Sequence, residues 1–104
     1  MTDHRFAAYD DATREKIADY QTQPDDALIE PILLGISRYY VPPEAVIPPD
    51  ATPEQIFAIA AMEALTLMEI ILDVQDAFSV RFAEADLQHV HSMSDMVALI
   101  RDKR

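Results

Sequence analysis

A chain of 104 residues has room for one ordinary domain and one hydrophobic core. Half of its residues are hydrophobic, so despite a formal net charge of -11 the composition is that of a folding chain rather than of a disordered tail. Nineteen acidic residues against eight basic ones set up a field that repels phosphate backbones and anionic lipid, which argues against nucleic acid and favours a protein partner with a Lys/Arg-rich patch.

The absence of cysteine excludes disulfides, thiolate zinc sites and cysteine nucleophiles. Met1-Thr2-Asp3-His4-Arg5-Phe6 lacks the basic-then-apolar order of a signal peptide, and the longest apolar run, Ile56 to Met62, falls far short of the roughly 20 residues that cross a bilayer. The expectation is a cytoplasmic protein without membrane insertion.

With Gly35 as the one glycine, prolines mark the breaks between apolar-periodic segments, and no run alternates well enough to be a strand. The expected class is all-α. Residues 1–24 are polar and weakly periodic, an N-terminal extension with Asp10 to Gln21 as a short surface helix. From Asp25 to Tyr40, Leu28, Ile32, Ile36 and Tyr39 recur on one helical face. Pro31 fits only a first turn, so the regular helix either starts near Glu30 or kinks there.

Val41-Pro42-Pro43 ends that helix, and a loop through Pro48-Pro49 leads to Thr52-Pro53-Glu54-Gln55, a helix start with Thr as N-cap, Pro at the first position and Gln closing a capping box. The helix begun there either continues to about Phe78 or breaks near Ala61 to Glu63. Ser79 to Phe82 reads as a connector and Glu84 to His89 as a short helix. Ser92-Met93-Ser94-Asp95 reads as the cap of a last helix ending at Ile100 or Arg101.

At about 100° per residue, positions 65 to 78 sort into three stripes. Leu67, Ile70, Ile71, Val74 and Phe78 form a core face. Thr66, Glu69, Asp73 and Asp76 form an acidic stripe roughly opposite, and Leu65, Met68 and Leu72 form a second apolar strip beside the acids. A core needs only the first stripe. The second strip is either a protein-docking surface or packs beneath the segment from Ile56 to Met62.

The run Leu65 to Phe78, then Val80-x-Phe82, Leu87, Val90 and Ser92-x-Ser94 up to Ile100, resembles helices II, III and IV of the acyl carrier protein family. Ile32 to Val46 is similar, more loosely, to that family's first helix and loop. The resemblance implies a small acyl-carrier-like four-helix bundle over residues 25–104. It also implies a non-enzymatic carrier of thioester-bound acyl or related intermediates, as in fatty acid or polyketide biosynthesis.

By the same resemblance Glu63, Leu65, Met68, Glu69, Leu72, Asp73 and Asp76 occupy the partner-recognition face. The partners it implies are basic-patched enzymes: a phosphopantetheinyl transferase, an acyl or aminoacyl ligase, a synthase or an acyltransferase. The carrier itself is expected to be a monomer.

The family's hallmark is Gly-x-Asp-Ser-Leu at the start of helix II, and this chain has Ala61-Met62-Glu63-Ala64-Leu65. The resemblance makes residue 64 the attachment point for 4'-phosphopantetheine, where a serine hydroxyl attacks the pyrophosphate of coenzyme A. An alanine methyl has no lone pair to attack with, and Thr66 is turned away by about 200°. As it stands the chain cannot take the group. Either the natural protein has serine in place of Ala64, or the chain is a pseudo-carrier that docks on a partner as an interaction or regulatory module without a prosthetic group.

Elsewhere, His89 and His91 at i and i+2 do not share a helical face, so a metal site is not expected. Asp25-Asp26 reads as a helix-cap element. Tyr39, Tyr40 and the methionines other than Met68 read as core or rim packing.

Overall fold

A computed structural model of the chain describes residues 6–103. Among them the secondary structure is entirely helical: α1 (Asp11–Thr22), a 3-10 turn (Asp26–Leu28), α2 (Ile29–Tyr40), α3 (Pro53–Ala60), α4 (Ala64–Phe78), α5 (Glu84–Leu87) and α6 (Met93–Lys103).

Most boundaries follow from short-range chemistry. Asp10 caps α1 by accepting from Thr13 N at 2.8 Å, and these bonds from Thr13 hold its carboxyl below the usual carboxylate range. Asp25 accepts from Ala27 N and begins the 3-10 turn. Regular α-helix follows from Ile29, so Pro31 falls in the first turn and no kink is needed. Thr52 and Gln55 form the reciprocal capping box of α3.

The helix from Pro53 does break. After Ala60 the chain turns through residues 61–63, and α4 leaves at 119° to α3. At its far end Ser79 takes the left-handed conformation, φ 55° and ψ 45°, and Val80 N bonds back to Gln75 O at 3.1 Å. This is the turn that usually takes glycine, here made by serine. The Gln75 side chain then accepts from Phe82 N and fixes the connector.

The last helix is started from two directions. Ser92 Oγ accepts from Asp95 N within its own turn. From α3, the Glu54 carboxylate accepts from Met93 N, Ser94 N and Ser94 Oγ at 3.0, 2.7 and 2.5 Å. The Ser94 hydroxyl, and then the two amides, hold the Glu54 carboxyl below its usual range. α5 is tied to α6 by Lys103 Nζ and Asp86 at 3.0 Å.

The core is continuous across α1, α2, α4 and α6, with Phe57 and Ala60 of α3 at its edge. Ile29, Ile32, Leu33 and Ile36 of α2 are fully buried, as are Met96 and Ile100 of α6, whereas Leu28 is half-buried and Tyr39, expected on the same face, is half exposed. α1 is more than the surface helix expected of it: Ile17 and Tyr20 are buried in the same core, and Tyr20 packs edge-on against Phe78 at 4.8 Å. Gln21 of α1 reaches the Asp76 and Ala77 carbonyls at the end of α4.

Candidate functional site

α4 has one side in the core and one in solvent. Ile70, Ile71, Val74 and Phe78 are buried and Leu67 is half-buried, as the periodicity predicts. The second apolar strip is not packed beneath α3: Leu65 is 80 % exposed, Met68 50 % and Leu72 48 %. The bend after α3 carries that helix away from the strip and adds Met62, 79 % exposed, to its upper end. Met62 is therefore not a packing residue, unlike the buried Met93 and Met96. Met1 lies outside the described residues.

Glu63, Glu69 and Asp76 are exposed beside the strip. Among the described residues six large hydrophobic side chains are exposed, and four of them form this one strip, so the exposure is concentrated rather than scattered.

Ala64 is the first residue of α4 and is exposed. Glu63 precedes it in an extended conformation and makes no side-chain capping bond. The start of a 15-residue helix therefore presents its first amides to solvent without a side-chain cap.

Asp73 departs from the expected stripe. It is 6 % exposed, and both the Tyr9 hydroxyl and the Tyr40 hydroxyl, the latter at 2.6 Å, donate to its Oδ2. On the helical wheel Asp73 lies about 60° from Ile70 and about 40° from Glu69, at the edge of the core arc. The segment before α1 extends that arc over it. Burial and the adjacent carboxylate push both phenols well above their ordinary range, so both remain protonated donors.

Tyr9 is itself buried between two rings, stacked on Phe6 at 6.1 Å and edge-on to Tyr39 at 5.0 Å. Sequence reading missed this cluster because its partners are 64 and 33 residues from Asp73. The one local signal was the buried-edge position of an acid.

Comparison with protein-family models, with curated proteins and with solved structures gave no match to this chain. The geometry of α4 is thus the ground on which a function is argued. His89 and His91 are both exposed, and among the described residues no group of three or more His, Cys, Asp or Glu is placed to hold a metal ion.

Proposed function

We propose that the chain is an acyl-carrier-type docking protein whose α4 presents Met62, Leu65, Met68 and Leu72, edged by Glu63, Glu69 and Asp76, to a partner enzyme with a basic patch. In this reading α2, α4, α5 and α6 are the four carrier helices, and α1 and α3 are additions to them. The observation that carries the proposal is the concentration of exposed apolar side chains on one face of α4 within an acidic rim. The burial of such a strip supplies affinity, and the acids supply orientation and encounter rate. Like-charged rims oppose pairing with a second copy, so the docking chain is a monomer.

The natural carrier, on this proposal, has a serine where this chain has Ala64 and bears 4'-phosphopantetheine there. The exposed, uncapped start of α4 favours that reading, because a helix N-terminus stabilises a phosphodiester. The second reading is a pseudo-carrier that docks without the group, and it is favoured by the alanine itself.

The two are separated by incubating the chain and its Ala64→Ser variant with coenzyme A and a broad-specificity phosphopantetheinyl transferase, then weighing both. A phosphopantetheine mass gain confined to the variant supports the carrier; no gain in either removes it. The docking face is tested by binding of the unmodified chain to the same transferase. Glu69→Lys with Asp76→Lys should weaken binding and flatten its salt dependence, and Leu65→Asn should weaken it without changing the salt slope. Binding indifferent to all three substitutions would overturn the docking reading.

A further inference from the structure

Among the described residues, the Tyr9 hydroxyl joins the segment preceding α1 to Asp73 of α4. Between Phe6 and Asp10 two buried rings, Phe6 and Tyr9, alternate with the exposed Ala7 and Ala8. The segment holds itself with the backbone bond from Tyr9 N to Phe6 O. α1 is anchored independently, by its Asp10 cap, by Ile17 and Tyr20 in the core, and by Gln21 on the end of α4. The segment can therefore lift at Asp10 while α1 stays in place, the behaviour of a small terminal unit of low local stability.

The chemistry at its attachment point is unusual for a purely structural contact. Tyr9 and Tyr40 come from different elements and donate to the same oxygen of Asp73. The burial of Asp73 beneath this segment removes one acid from a row of three. Glu69, Asp73 and Asp76 lie within about 60° of one another on α4, and only Asp73 is covered.

The geometry points to residues 6–10 being a latch that covers the edge of the α4 docking face, with the Tyr9 hydroxyl on Asp73 as its catch. Its release uncovers Asp73, still bonded to the Tyr40 hydroxyl, and more of the half-exposed Tyr39 ring, and so extends the acidic row and widens the apolar surface beside it. A cationic partner that engages the open face draws the latch open, while the closed latch lowers the partner's apparent affinity by the fraction of time it is shut. What release accomplishes rests on the docking reading; that the segment is a latch does not.

Limited chymotryptic digestion measures the latch directly, because Tyr9→Phe removes the hydroxyl while keeping both the ring and the cleavage specificity. Cleavage after residue 6 or 9 should quicken about tenfold or more in Tyr9→Phe, the scale of a lost hydrogen bond to a charged group, with Tyr20 and Phe78 still protected. Asp73→Asn should give the same pattern. Unchanged cleavage in both variants would overturn the latch. So would simultaneous loss of protection at residues 9, 20 and 78, which would make the segment part of the cooperative core.

A synthetic amphipathic Leu/Lys helical peptide then tests the coupling. It should bind the Tyr9→Phe variant several-fold more tightly than the unaltered chain, and equal affinity with an opened segment would overturn the regulatory role. Peptide binding that Leu65→Asn leaves intact would instead remove the docking reading, while the digestion result still decides the latch.

Discussion

Gly35 is the chain's one glycine, and it lies inside α2, where glycine is about 1 kcal/mol less favourable than alanine. Its place is explained by α1. A Cβ on Gly35 would overlap Thr13 Oγ1, with Thr13 Cγ2 at 2.8 Å and Thr13 Cβ at 3.0 Å. Thr13 is itself buried, and its Cβ is fixed by the backbone of α1. Rotation of the hydroxyl therefore cannot relieve the overlap. Gly35→Ala should destabilise the protein by about 1–2 kcal/mol in urea unfolding, because overpacking outweighs the gain in helix propensity. Thr13→Ala removes the two nearest atoms, so the double variant should recover most of the loss. A cycle with no coupling between the two sites would mean that α1 and α2 do not touch there.

The elements are joined by side chains that serve as caps across the fold, and these have a pH signature. Glu54 belongs to α3 but satisfies the first amides of α6, and the bonds it accepts lower its pKa. A group with a depressed native pKa contributes stability above its unfolded value and loses that contribution as pH falls through the native one. Stability should therefore drop on acidification below about pH 4.5, near and below the ordinary glutamate range. Glu54→Gln should be less stable by about 1 kcal/mol at pH 7, the value of a helix cap. Its stability should also approach that of the unaltered chain as pH falls through the depressed native pKa of Glu54, where the unaltered chain loses its carboxylate. Urea midpoints measured from pH 7 to 3 check this, and parallel curves for the two proteins would mean that Glu54 does not titrate with folding. Element starts of this local kind were largely legible in the sequence. Thr52, Pro53 and Gln55 announce α3, Ser92 announces α6, and Pro31 places the start of α2. The break after Ala60 stood in the sequence only as one of two alternatives, because Ala61-Met62-Glu63 contains no Pro or Gly and the choice is made by packing of α3 and α4 on α2. α6 also runs past the expected end, to Lys103, whose ammonium pairs with Asp86.

At the scale of the whole molecule, periodicity found the two faces of α4 but not what α1 contributes. The core stripe and the exposed strip follow from spacing alone, whereas the burial of Asp73 depends on residues brought in from the far end of the chain. The helix expected at Asp10 to Gln21 is there, but the weak periodicity of that stretch hid its burial: it buries few residues and places them well. Ile17 and Tyr20 are each 2 % exposed, and Tyr20 covers Phe78. Full burial of such side chains is worth about 1.5–3 kcal/mol apiece, and a domain of this size has about 5–15 kcal/mol in total. A fragment starting at Asp25 would leave Phe78 and the Gly35 side of α2 without their cover. Such a fragment, residues 25–104, should melt at a lower temperature and with a broader transition than the full chain, and should bind more of a hydrophobic dye than the full chain does. Adding residues 1–24 back as a separate peptide should restore part of the protection if Ile17 and Tyr20 supply the missing wall. A fragment as stable and cooperative as the full chain would show instead that α1 is an appendage, and that α2 to α6 close their core without it.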